Sequence, residues 1–214
     1  VEDTGKKNPT DFALWKFSPE DQKRDMEWDS PWGKGFPGWH IECSAIAHEL
    51  LGDQIDIHTG GIDHIPVHHT NEIAQTEALT GKPFANFWLH NNHLKVNGTK
   101  ISKSLGNIFT LEDIEKHDFD LQAFKLMALS KHYRTEGNFT WEILQAAQNL
   151  LRKWQAVADL RWQTKDVPEK NDYTQYHADL LEALQDDLNT PKALMVIDKI
   201  TEFENIPETE VDSF

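Results

Sequence analysis

The rhythm of apolar and polar positions changes once along the chain. Residues 11–105 alternate short β-like runs with Gly/Pro turns, whereas residues 110–205 read almost wholly as helix. In the first stretch, Trp28 to Pro37 is an aromatic loop punctuated by glycine and proline in its second half. Trp39 to Leu51 carries Ile41, Ala45, His48 and the Leu50/Leu51 pair at roughly helical spacing, and Gly52 follows as a stop. Ile55 to His58 predicts a short strand that runs into Thr59-Gly60-Gly61. Residues 66–79 predict a further helix, entered near Pro66. Phe87–His90 and His93–Val96 are strand candidates, and Asn97-Gly98 is a turn signal ahead of a lysine-bearing loop. Strands alternating with helices predict an α/β layer architecture for this part, followed by an all-α helical region.

The second stretch has clear helix starts. The Thr110 hydroxyl can accept from the orphan N–H groups that follow it, while Glu112 and Asp113 sit at the positive end of the helix dipole. Thr140 opens a long helix whose apolar stripe runs Ile143, Ala147, Leu150, Trp154, Val157. Asn189-Thr190-Pro191 is a third start, with proline at the first turn. The boundary between the two parts falls between Gly106 and Asp113, and Val167 to Asn171 reads as a linker between helices.

Composition narrows the function classes. The 214 residues, with 38% hydrophobic content, eight Trp and eleven Phe, suffice for one large domain or two small ones. A formal charge of −15 argues against gripping nucleic acid through a general basic surface, although it leaves room for a local basic groove. One cysteine excludes an internal disulfide framework and fits a reducing cytosol. No apolar run approaches the ~18 residues that span a bilayer. The chain opens with Val1 in a polar stretch rather than with Met, as a cut through a longer protein would.

Three segments carry candidate chemistry. His68 and Glu72, four apart on one helix, project from the same face, with His69 and Glu72 the weaker pair. With Cys43 they make a thiolate, an imidazole and a carboxylate, three donors that Zn²⁺ accepts while keeping a position open for substrate. Lys100-Ile101-Ser102-Lys103-Ser104 brings two ammonium groups and two hydroxyls to an anion such as ATP phosphates, and Gly106 permits movement. His58-Thr59-Gly60-Gly61-Ile62-Asp63 is a strand that ends in glycines and a carboxylate, a pattern that lets backbone approach a flat ligand and meet sugar hydroxyls. Trp39 stands one helical turn from Cys43 and could wall a pocket. Read singly, each signal has a plain structural alternative: a core cysteine, surface histidines, a solvated basic turn, a core tryptophan.

In series the segments are more specific. Gly38-Trp39-His40-Ile41-Glu42-Cys43-Ser44-Ala45, Asp56 to Asp63, His68-His69-Thr70-Asn71-Glu72-Ile73-Ala74-Gln75 and Lys100 to Asn107 together resemble the cysteinyl-tRNA synthetases, class I aminoacyl-tRNA synthetases. The likeness continues through Asp11 to Lys16, His132-Tyr133-Arg134 and Asp187-Leu188-Asn189-Thr190-Pro191. The resemblance implies that Cys43, His68 and Glu72 are three of four zinc ligands, and that Trp39 and His58 line the cysteine pocket. It further implies that Asp63 faces the adenosine and that Lys100, Ser102, Lys103 and Ser104 form the ATP loop, with Ile101 where Met is more usual. Lys103 would stabilise the α-phosphate region as catalytic cation beside Lys100. ATP with Mg²⁺, cysteine and tRNA(Cys) are the implied substrates, in a cytoplasmic monomer without a membrane.

The resemblance also implies what lies outside residues 1–214. The family's first nucleotide-binding half, with its His-x-Gly-His loop and a further zinc-ligating Cys, would precede Val1, and an anticodon-reading segment would follow Phe214. On that basis residues 1–104 form the second half of the catalytic domain, 105–138 a stem-contact region and 139–214 a helical tRNA-binding-type domain. Such an excerpt is expected to hold zinc weakly and to be inactive alone. Two alternatives stay open at this point: a cysteine ligase acting on an amino-sugar, and a non-catalytic zinc-binding module.

Overall fold

The computed structural model describes residues 6–21, 24–160, 173–202 and 206, and divides into two compact units, residues 1–90 and 91–214. The linker expected at Val167 to Asn171 lies outside the described residues.

In the first unit, β1 (Trp15–Phe17) pairs antiparallel with β2 (Gly35–Pro37), Trp15 opposite Pro37 and Phe17 opposite Gly35. The stretch expected to be loop from Trp28 onward therefore ends in a strand. A three-residue strand has too little periodicity to be seen without its partner. Helix α1 (Trp39–Leu51) has the predicted bounds, and the Gly52 N–H bonds the carbonyl of His48. Strand β3 (Ile55–Gly61) lies beside β4 (Ala85–Asn91), the Ile55 N–H donating to the Phe84 carbonyl at 2.9 Å.

Between β3 and β4 the chain does not enter one regular helix as expected for residues 66–79. A 3₁₀ turn (Ile62–His64) and a π-helical turn (Ile65–His69) come first, and α2 (Thr70–Thr80) follows directly. His68 and His69, the last two residues of the π turn, are both buried.

The interior of this unit is unusual in kind. Among the described residues its buried hydrophobics are Ile55 and Phe84, against five buried polar side chains: Ser44, His68, His69, Glu72 and Thr76. Burying polar groups costs free energy unless each finds a partner, so their concentration here asks for a chemical reason.

The second unit has an ordinary apolar core. β5 (Leu94–Val96) runs parallel to β6 (Gly137–Phe139), Leu94 opposite Gly137 and Val96 opposite Phe139. This pairing places residues 94–96 with the second unit, whereas the sequence reading grouped everything up to residue 104 with the first domain. It also interrupts the stretch read as almost wholly helical. Asn97 and Gly98 both take positive φ (50° and 72°), the type I′ turn the dipeptide predicts, and Val96 and Thr99 bond across it.

Helices α3 (Leu111–Lys116), α4 (Leu121–Leu129) and α5 (Trp141–Asp159) pack on β5 and β6 through Val96, Ile114, Ala123, Met127, Phe139, Leu144 and Ala147. The buried face of α5 starts at Leu144, Ala147 and Gln148 rather than at Ile143, which is partly exposed. That helix is apolar over more than one stripe, and the core chose the face one position on. Its far end joins a second cluster, where Val157 meets Tyr173, Val196, Ile200 and Ile206 from α6 (Thr174–Gln185), α7 (Thr190–Ile200) and their flanks.

The predicted caps form as local chemistry dictates. Thr110 and Asp113 make a reciprocal capping box: the Asp113 N–H donates to Thr110 Oγ1 at 3.2 Å and the Thr110 N–H to Asp113 Oδ2 at 2.8 Å. Thr140 caps α5 and Asn189 caps α7 by the simpler one-way bond, their side chains accepting from the N–H groups of Ile143 and Lys192. Thr110→Ala removes one half of the box, and we expect it to lower stability by about 1 kcal/mol, read as a shift of the urea midpoint at unchanged slope. The His132-Tyr133-Arg134 segment meets Asp187, with the Tyr133 hydroxyl donating at 2.6 Å and Arg134 Nε at 2.7 Å from the carboxylate. These partners, the hydroxyl first, hold the Asp187 carboxyl below the usual carboxylate range.

Candidate metal centre and lysine loop

The first unit builds its site on α1, β3 and the π turn leading into α2. Ser44 on α1 donates to Gln75 Oε1 on α2 at 2.7 Å, holding the two helices in register. Trp39, one turn before Cys43, stacks on the His68 ring with centroids 4.3 Å apart. Cys43 consequently faces the His68/Glu72 pair: its Sγ, a ring nitrogen of His68 and a carboxylate oxygen of Glu72 all lie within 4.8 Å of one another. The three side chains that the sequence reading grouped are brought together in space.

Glu72 is the centre of the arrangement. Its carboxylate is fully buried, with Oε2 3.0 Å from His58 Nε2, 3.4 Å from His68 Nε2 and 3.9 Å from His69 Nε2. Oε1 has no hydrogen-bond partner among the described residues. The outer nitrogens of the neighbouring rings are held in turn: His68 Nδ1 lies 2.8 Å from His40 Nδ1, and His69 Nδ1 lies 2.7 Å from His90 Nε2. Fixing the far nitrogen of an imidazole sets its tautomer and aims the near one, as around bound metals.

Burial, followed by repulsion from neighbouring imidazoles, pushes the His69 pKa down to about 4 and that of His90 below its usual range. Burial likewise lowers His68, against the opposing pull of Glu72. These rings are neutral near pH 7 and keep lone pairs to offer. The Cys43 thiol is pushed up, first by burial and then by the Glu72 and Glu42 carboxylates. A thiol disfavoured as thiolate beside a buried carboxylate with an unpartnered oxygen is an arrangement that a divalent cation would reverse. The donor set of soft sulfur, imidazole nitrogen and carboxylate oxygen fits Zn²⁺.

Of the remaining predicted residues of this unit, His58 bonds Glu72 and packs on Trp88, Phe84 and His69. Trp39 remains over half exposed, at 56%. Asp63 is exposed on the 3₁₀ turn after β3 and takes no part in the donor groups. Sequence reasoning missed His40, His64 and His90 and ranked His69 low. One signal was available: seven of the eleven histidines (40, 48, 58, 64, 68, 69, 90) fall within residues 40–90.

In the second unit the lysine loop is shaped by Asn107. Its Oδ1 accepts from the Ser102 N–H at 2.8 Å, and its Nδ2 donates to the Lys100 carbonyl at 3.0 Å and to Thr99 Oγ1 at 3.2 Å. Ser102 and Ser104 hydroxyls are 2.7 Å apart. Lys103–Leu105 forms a 3₁₀ turn that Gly106 closes at φ 62°, a conformation glycine adopts without strain. Lys100 and Lys103 are exposed, and neither has an ion-pair partner among the described residues. Two unpaired cations on a pinned loop are available to an anion from solution.

A cysteine–tRNA ligase 1 of Burkholderia lata is 45% identical over 98% of this chain and 44% of its own length. A cysteine–tRNA ligase of Treponema denticola is 40% identical over 98% of this chain and 47% of its own length. The chain thus spans less than half the length of these relatives. The LeuRS–tRNA–LeuAMS ternary complex of Agrobacterium radiobacter superposes on 82% of this chain and 29% of that chain with a TM-score of 0.63 at 15% identity, a likeness of fold alone. Residues 1–149 match the family model described as tRNA synthetases class I (C) catalytic domain, and the chain belongs to that family.

Proposed function

We propose that the chain is the zinc-bearing part of a ligase that joins cysteine to tRNA(Cys) through a cysteinyl-adenylate. The observation that carries this reading is the convergence of Cys43, His68 and Glu72 within 4.8 Å around a fully buried carboxylate. The cysteine–tRNA ligases above support it, and they lend nothing to the amino-sugar alternative. When bound there, Zn²⁺ supplies an open position with affinity for a thiolate over a hydroxyl.

The chain's own residues do the rest. Trp39 and His58 border the cluster and orient the amino acid, while Asp63 on its exposed turn takes the adenosine ribose. The cysteine carboxylate attacks the α-phosphate of ATP, the bond to the β-phosphate oxygen breaks, and pyrophosphate leaves with Mg²⁺. Charge builds on the non-bridging oxygens, and Lys103, with Lys100, neutralises it, while Ser102 and Ser104 donate to phosphate oxygens. The terminal ribose hydroxyl of tRNA then attacks the carbonyl carbon and AMP departs. A hydroxyl in place of the thiol ionises poorly and makes a weak ligand, so rejection of serine needs no editing step. No helix of the described residues is long and apolar enough to cross a membrane, and the lone cysteine suits a reducing cytoplasm. We read the protein as a monomer.

The test uses a full-length ligase carrying this sequence and measures cysteine-dependent exchange of pyrophosphate into ATP. Chelation is expected to lower the exchange rate by roughly tenfold or more, with recovery on zinc addition and no exchange with serine. Undiminished, cysteine-selective exchange after metal removal would overturn the proposal.

A further inference from the structure

We infer that this chain carries a second divalent-cation site, made of His58, His69 and Glu72, which overlaps the first through Glu72 and has no sulfur ligand. One ligand atom from each of these residues lies within 4.8 Å of the others. The set shares only its carboxylate with Cys43 and His68. The inference stands on its own geometry, whatever reaction the protein performs.

Four observations support it. Glu72 is fully buried and its Oε1 is unpartnered, so a carboxylate oxygen is left over after His58 and His68 have met Oε2. His69 is buried and its Nδ1 is engaged by His90 Nε2 at 2.7 Å, which leaves Nε2 as the free donor. His58 is held between Trp88, Phe84 and His69, with its Nε2 turned to the carboxylate at 3.0 Å. Finally, the residue packed against His69 is glycine. A methyl at Gly60 would sit 2.7 Å from His69 Nε2 and 2.8 Å from His64 Nδ1, so a side chain there would push these rings from their places beside the carboxylate.

Two imidazoles and a carboxylate differ in taste from the sulfur-containing set. The N/N/O set suits Ni²⁺, Cu²⁺ and Co²⁺ as well as Zn²⁺, while the thiolate biases the other toward softer ions. The two sets compete for one carboxylate, so this second site is where excess or mismatched metal goes, at the expense of the first.

The experiment removes the sulfur. In the 214-residue chain with Cys43→Ser, Ni²⁺ and Co²⁺ are titrated by calorimetry and by absorption. We expect about one equivalent to bind without a thiolate-to-metal charge-transfer band. In that background His69→Ala should weaken binding at least about tenfold, whereas His68→Ala should change it by less than about threefold. Imidazole ¹⁵N resonances of the Cys43→Ser chain give a readout that needs no further variant: diamagnetic Zn²⁺ should shift His58 and His69 more than His68. Failure of Cys43→Ser to bind any of these ions, or dependence on His68 instead of His69, overturns the inference. The first site is judged separately, by the thiolate-to-cobalt band of the parent chain, so the two can fail independently.

Discussion

Glu72→Gln is expected to act in opposite directions on the two states of the first unit. Without metal, the variant should be more stable than the parent by about 1–3 kcal/mol, because a buried carboxylate with an unpartnered oxygen gives way to a neutral amide of the same shape. The amide can donate to His58 Nε2, now 3.0 Å from Oε2. With zinc the order reverses. The amide oxygen is a poor ligand, and we expect affinity to fall at least about 100-fold, the upper end of what removal of a mere outer-shell partner does. At a zinc concentration about 100 times the parent's dissociation constant, the parent gains about 2.7 kcal/mol and the variant less than about 0.5 kcal/mol. Urea unfolding with and without zinc measures both effects, and a chromophoric chelator in competition gives the affinity. Unchanged zinc affinity in the variant, or a variant less stable than the metal-free parent, would show that Glu72 is buried for some reason other than a cation.

Lys103→Ala should lower the maximal rate of cysteine-dependent pyrophosphate exchange by about 10²–10³-fold in a full-length ligase carrying this sequence, the loss typical of one positioned group facing transition-state charge. The cysteine KM should move little, since in the proposed reaction the ammonium group meets phosphate and not the amino acid. Stability should not change: Lys103 is exposed and forms no ion pair among the described residues. Asn107→Ala offers a graded comparison. Asn107 touches no substrate in this reading; it pins the loop through the Ser102 N–H and the Lys100 carbonyl, so its loss should cost rate in proportion to loop disorder. A Lys103→Ala enzyme within about twofold of the parent would remove the lysine from the mechanism.

A metal bound as proposed at Cys43, His68 and Glu72 would account for so thin an apolar core in the first unit. Two buried hydrophobics against five buried polar groups is a poor basis for stability by burial alone. Polar side chains that converge on an ion recover the desolvation cost through coordination, so part of this unit's folding free energy is expected to come with the metal. The second unit needs no such help, with Leu144, Ala123, Phe139 and Met127 closely buried.

What could be read from residues alone follows the range of the interactions involved. Helix α1, its Gly52 stop, the Asn97-Gly98 turn and the caps at Thr110, Thr140 and Asn189 depend on groups within four residues of one another, and all were legible. The pairing of His68 with Glu72 was legible for the same reason, since one helical turn sets it. The short strands β1, β2 and β6 were not, because a strand of three residues exists only through a partner distant in the chain. Nor was the π turn that buries His68 and His69 together, or the choice of the Leu144 face over the Ile143 stripe of α5.

Local sequence thus determined which side chains are the candidates for chemistry here: one thiol, one i,i+4 imidazole–carboxylate pair and one dilysine loop. Tertiary structure alone decided that Cys43 meets that pair, through the docking of α1 on α2 by Ser44–Gln75 and on the π turn by Trp39–His68. It alone gathered His58 and His69 around the same carboxylate, with His90 behind His69. The reason is one of distance. Side-chain spacing along a helix is fixed by 3.6 residues per turn, but which helix faces which depends on packing summed over the whole unit.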